Sequence, residues 1–263
     1  MDTASLPPGT AQEWAARYVA AESLAVKFTP PPPGMRLAEG LAPLRLARPG
    51  RPSELRVTAK TKRSLTEGQL AIPRRRAQLL HTFLHHELQA AELMCWALLA
   101  FPETPRTFRR GLLAICADEV RHMARYRALL EGLGCAVGDF PVRDWFWQRV
   151  ATCATPVQFV ALLGLGLEGG NLDHAARFAA RFAAVGDHEA ARAQEEIGRD
   201  EERHVRFAAL WFRRFTGGLD FARWRAELPA PLTPTILRGP SIDRAARARA
   251  GLPPAFLDAL EAS

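Results

Sequence analysis

The sequence predicts an all-α protein: a four-helix bundle built from one helical hairpin used twice, with a basic N-terminal arm and extra short helices around it. Three observations predict this. The stretch Ile115-Cys-Ala-Asp-Glu-Val-Arg-His122 returns 82 residues later as Ile197-Gly-Arg-Asp-Glu-Glu-Arg-His204, and both read I-x-x-D-E-x-R-H. A glutamate precedes each copy at nearly equal distance, Glu87 lying 32 residues before Glu119 and Glu168 lying 33 before Glu201. A second acid follows five residues on, Glu92 in one case and Asp173 in the other. Each gap fits a helix, a short loop and a return to the same depth at about 1.5 Å per residue.

The elements follow in order. Residues 1–72 read as an N-terminal helix and irregular basic arm, 73–216 as the bundle, and 217–263 as a C-terminal extension. Ala11 to Phe28 read as a helix anchored by Trp14, Tyr18 and Leu24, and Thr29 with Pro30 to Pro33 ends it. Residues 34 to 72 show no sustained periodicity. The first bundle helix runs from Pro73, suited to a first helical position, to Phe101, where Pro102 stops it. Leu80, Phe83, Leu84, Glu87, Ala91 and Met94 share one face of it. The second runs from Thr104 to Leu133, with Leu112, Ile115, Glu119, His122 and Tyr126 inward. Asp144 to Cys153, with Trp145, Phe146 and Trp147, reads as an aromatic crossover over one end of the bundle, its cluster core rather than a substrate box.

The third bundle helix runs from Pro156 to Val185. Its Gly164-Leu-Gly-Leu-Glu-Gly169 matches G-x-G-x-x-G, but no second strand follows, so there is no dinucleotide-binding unit. Glycines inside a helix cost about 1 kcal/mol each relative to alanine. Four of them around Glu168 point to close helix approach, a π-bulge or room for a ligand. The fourth runs from Asp187, its N-cap, to Phe215, with Gly217-Gly218 as the stop. The tail carries basic Arg244 to Arg249 and a short amphipathic piece, Pro253 to Leu260.

Composition is ordinary for a folded domain, 48% apolar and 24% charged over 263 residues. No apolar run reaches the roughly 18 residues of a membrane span, and Met1-Asp-Thr-Ala begins no signal peptide. The four cysteines show no C-x-x-C spacing, which reads as reduced thiols and a cytoplasmic protein. Charge is uneven: Met35 to Arg76 holds 11 Lys or Arg and 3 Glu, a net of +8, against +7 for the whole chain. Such an arm is either a wrapper on the bundle or a site for an anionic partner, such as tRNA or a nucleotide-linked substrate.

In each octapeptide a glutamate and a histidine stand three apart, one turn along the same face. Glu119 with His122 and Glu201 with His204, joined by inward Glu87 and Glu168, are the donor set of a dinuclear metal site. One E-x-x-H pair alone reads as solvated surface; the doubling decides against that and leaves a metal site or an inactive relic of one. Hard carboxylates with two imidazoles suit two iron ions, or manganese in one or both places. Asp118, Asp200, Arg121, Arg203, Glu92, Asp173 and Tyr126 are candidates for groups that support the ligands. For Asp118–Arg121 and Asp200–Arg203 the alternative is a surface i,i+3 pair, for Tyr126 a core tyrosine, and Glu92 is the rival to Glu87 as ligand. His85 and His86 are read as neighbours of the site or surface residues rather than ligands.

The Glu87, Glu119-x-x-His122, Glu168, Glu201-x-x-His204 pattern resembles the ferritin-like di-iron carboxylate superfamily. Three stretches, His85-His-Glu-Leu-Gln-Ala-Ala-Glu-Leu93, Leu167-Glu-Gly-Gly-Asn-Leu-Asp173 and Arg199-Asp-Glu-Glu-Arg-His204, together with Pro49-Gly-Arg-Pro52, resemble its uncharacterised bacterial branch, domain-of-unknown-function family 455. The resemblance covers about residues 45 to 215 and implies a fold and a metal site, not a substrate. The expected function is a non-haem di-iron oxidase or monooxygenase that takes dioxygen and an electron donor protein, working as monomer or homodimer away from membranes. A dimanganese peroxide scavenger and a non-catalytic iron-binding protein are the alternatives.

Overall fold

The computed structural model describes residues 6–59 and 67–263. Met1 to Ser5, which carry the reading of a leaderless start, and Lys60, Lys62 and Arg63 of the basic arm lie outside the described residues. Among the described residues the regular structure is helical; the only strand-like pairings are isolated bridges, Thr10 with Arg36 and Val57 with Val142. The chain divides into two compact units, Met1–Thr152 and Cys153–Ser263, and each contains one of the two hairpins.

In the first unit α1 spans Ala11–Ala20, started by Thr10, whose hydroxyl accepts from the Glu13 amide. The sequence reading carries this helix on to Phe28, but it ends eight residues earlier and only a single turn, α2 (Leu24–Lys27), follows. The last carbonyls of α1 are taken by other donors: Lys27 Nζ donates to Tyr18 and Val19 at 2.8 and 2.9 Å, and the Gly50 amide donates to Val19 at 2.8 Å. A Cβ on Gly50 would lie 2.1 Å from the Ala20 oxygen, so only glycine lets the arm come this close.

The described residues of the arm pack on this unit. Arg45 stacks over the Trp96 and Phe101 rings, Leu44 donates to the Leu99 carbonyl, Trp147 Nε1 donates to Ala47, and Arg109 reaches Ala38 and Glu39. A short 3₁₀ turn, Glu67–Ala71, stands where the sequence reads irregular. Then come α3 (Pro73–Ala100), α4 (Arg106–Gly132) and the single turn α5 (Trp147–Val150). Pro73 opens α3 as expected. The long pair is antiparallel: Phe83 meets Tyr126 and Cys95 meets Cys116, so the second number falls by ten as the first rises by twelve. Gln89 accepts from the Phe146 and Trp147 amides and so fixes the start of α5; Phe146 and Trp147 are buried, as the core reading expects, while Trp145 is only half-buried.

In the second unit one continuous helical run comprises α6 (Pro156–Phe159), a π-helical segment (Val160–Glu168) and α7 (Gly169–Ala184). After it come α8 (His188–Thr216), α9 (Phe221–Ala226), a 3₁₀ turn (Pro234–Leu237), α10 (Arg244–Arg249) and α11 (Pro254–Glu261). Asp187 caps α8 by accepting from Ala190, and Gly217 ends it at φ 79°. The glycine run explains itself here. A Cβ at Gly164 would fall 2.3 Å from the Ala208 Cβ on α8, and one at Gly170 would fall 3.1 Å from the Leu237 oxygen. Both close approach and a π-helical segment are present. This pair is antiparallel too: Gly164 faces Ala208 and Gly198 faces Ala175, one number falling by ten as the other rises by eleven. No helix among the described residues is long and apolar enough to cross a membrane.

Candidate metal centre

Each hairpin brings its predicted residues together. In the first unit Glu87 on α3 and Glu119 and His122 on α4 each offer a ligand atom, all within 4.8 Å of one another. In the second unit Glu168, the last residue of the π-helical segment, and Glu201 and His204 on α8 do the same. All six side chains are buried. Within each octapeptide the geometry repeats: His122 Nδ1 is 3.1 Å from Glu119 Oε2, and His204 Nδ1 is 3.1 Å from Glu201 Oε2. The cause is local, since residues three apart on a helix share a face.

The donor chemistry fits a cation. Each triad has two carboxylates and an imidazole out of solvent, where uncompensated charge is costly. A divalent ion balances two carboxylates. Glu201 has a donor atom to spare: Oε2 meets the imidazole, while buried Oε1 makes no hydrogen bond among the described residues. On the neighbouring helix, Asn171 Nδ2 donates to Glu168 Oε2 at 3.0 Å and orients that carboxylate. The position 81 residues before Asn171 is Ala90, so the first triad lacks this device, and the repeat gave no signal for it.

The two acids placed five residues after Glu87 and Glu168 lie in neither triad. Both are buried and both are held by arginine from the chain's extensions. Glu92 receives Arg51 through two bonds, at 2.6 and 2.9 Å, and Lys27 at 2.7 Å. Asp173 receives Arg247 through two bonds, at 2.9 and 2.8 Å, and the amides of Gly239 and Asp243. Glu92 therefore serves cations of the protein itself rather than rivalling Glu87. The sequence does not mark Lys27, Arg51 or Arg247 as partners of these acids; Arg51 lies within Pro49-Gly-Arg-Pro52 and Arg247 within the basic Arg244 to Arg249, and neither stretch names its acid.

Around Arg51 the network continues to Asp144, which also meets His85 Nε2 at 2.9 Å. Burial pushes Asp144 up, yet hydrogen bonds from His85 and Arg51 override it and bring the carboxyl down to about 2. Burial holds His85 below its usual range, opposed by Asp144. His85 is thus a buried partner of Asp144, not a surface residue, and His86 stacks on Phe146. Asp118 pairs with Arg121 at 2.6 Å and Asp200 with Arg203 at 2.7 Å along their own helices, the i,i+3 arrangement weighed from sequence. Tyr126 is buried against Phe83.

These features define a class: an all-helical protein carrying two buried carboxylate–imidazole triads that could hold metal. The chain belongs to the family described as protein of unknown function (DUF455), whose model matches residues 10–258. That span takes in the N-terminal helix, the arm and the tail beyond the stretches that carried the resemblance. No curated protein matches the chain, and no solved structure does.

Proposed function

We propose that the two triads act together as one dinuclear centre in a ferritin-like four-helix bundle, and that the protein is a non-haem di-iron oxidoreductase activating dioxygen. The observation that carries this is the duplicated triad itself, with the same residue types at the same helical spacing and the same 3.1 Å imidazole–carboxylate contact. Four carboxylates balance two divalent ions. Glu87, Glu119 and His122 would hold one ion and Glu168, Glu201 and His204 the other. Bound iron would supply the oxygen-binding and electron-transfer chemistry. The protein's own residues supply the rest. Asn171 fixes one carboxylate, each imidazole lies 3.1 Å from the carboxylate three residues before it, and burial of all six keeps bulk water out.

The test is metal content of protein purified without chelators, for the parent and for Glu119→Ala, Glu201→Ala and the double variant, with circular dichroism as a check of folding. Two ions per parent chain, lost in the double variant with helicity kept, supports the reading. Loss of a single ion in each single variant makes the triads independent mononuclear sites, and full occupancy in the double variant refutes metal binding here. Oxygen uptake by reduced, iron-loaded protein supports oxidase chemistry. Oxygen release from hydrogen peroxide by manganese-loaded protein points to the scavenger instead.

A further inference from the structure

Two cysteines that neither triad uses meet inside the first unit. Cys95 on α3 and Cys116 on α4 bring their Sγ atoms to 3.6 Å, so the sulfurs are in contact with nothing between them. Both are buried, at 1% and 0% exposure. Packing alone does not require sulfur at such a crossing. The residue equivalent to Cys116 in the second octapeptide is Gly198, and it closes against Ala175 with no thiol at all. Cys116 also precedes Glu119 by one helical turn, on the same face.

We propose that Cys95 and Cys116 form a dithiol–disulfide couple that delivers two electrons to a small oxidant, dioxygen or hydrogen peroxide. Two S–H bonds break and one S–S bond forms. The two electrons and two protons leave with the oxidant, giving hydrogen peroxide from dioxygen or two waters from hydrogen peroxide. Closing the bond needs the sulfurs to approach by about 1.6 Å, since a disulfide is about 2.05 Å long. Burial selects the oxidant: a tripeptide disulfide cannot reach either sulfur, whereas a diatomic or peroxide molecule is small enough to do so. The couple stands on the thiol geometry, independently of metal loading.

The experiment treats full-length protein, both metal-free and iron-loaded, with hydrogen peroxide, then denatures it in N-ethylmaleimide and digests it. The expected result is a peptide pair joined through Cys95 and Cys116, released by reductant, with maleimide-reactive thiols falling from the four present to two. Linkage in either form supports the couple. Cys116→Ala should abolish it, and the small residue at the equivalent position makes this variant compatible with the fold; Cys135→Ser should leave it intact. Four reactive thiols in both forms after treatment would overturn the proposal, as would sulfinic acid at either cysteine without linkage. Iron content is measured separately, so a failure to load metal counts against the triads and not against the thiol pair.

Discussion

Arg247 and Asp173, 74 positions apart, form a two-bond ion pair in which the guanidinium is 1% exposed and the carboxylate 0%. The pair ties the C-terminal extension to α7, five residues beyond Glu168. Removing one partner leaves a buried charge uncompensated, which typically costs about 3–5 kcal/mol. Arg247→Met should therefore lower stability by that order in urea unfolding followed by circular dichroism. Adding Asp173→Leu to it should recover part of the loss, because the orphaned charge then disappears. A single variant as stable as the parent would show that the pair contributes little.

Gly164 tests the close approach of the π-helical segment and α8. On helix propensity alone, glycine to alanine gains about 1 kcal/mol. Here the new Cβ would lie 2.3 Å from that of Ala208, and overpacking of this kind costs about 1–3 kcal/mol. Gly164→Ala should lower the melting temperature, and Gly164→Ala with Ala208→Gly should restore most of it.

His81 sets an acid limit. Its Nε2 accepts from the Gly138 amide at 2.8 Å, a role only the neutral ring can fill, and burial with His85 nearby lowers its pKa from 6.5 to about 4. The unfolded chain therefore binds this proton at higher pH than the folded one does. The resulting stability is fully present above about 6.5 and is lost as pH falls towards 4. Melting temperatures across that window should fall for the parent and fall less for His81→Gln, whose amide oxygen can still accept from Gly138. Parallel curves would exclude His81 as the source.

The basic arm makes a separate prediction. Arg45 and Arg51 are engaged with the fold, Arg74 lies over the Phe140 ring, and Arg76 donates to the Leu70 and Ala71 carbonyls. The proposal that the arm still takes phosphates predicts binding of bulk tRNA or a nucleotide at low salt, weakening steeply as salt rises. It also predicts weaker binding by the Arg74, Arg75, Arg76→Ala variant. Equal binding by that variant would leave the arm as a wrapper only.

The long helices and the six residues of the triads were legible because both follow a local period. An apolar face repeats every 3.6 residues, and a glutamate and histidine three apart must share a side. α3, α4, the Pro156–Ala184 run and α8 accordingly end within about two residues of where their prolines, glycines and caps put them. What the tertiary structure alone decided is long-range. Glu92 meets Arg51 across 41 positions and Asp173 meets Arg247 across 74; α1 stops at Ala20 because Lys27 and Gly50 claim its carbonyls; Cys95 touches Cys116 because two helices cross there. No period along the chain encodes such partners. They are chosen when burial makes an unpaired charge or carbonyl costly and packing brings donors within reach.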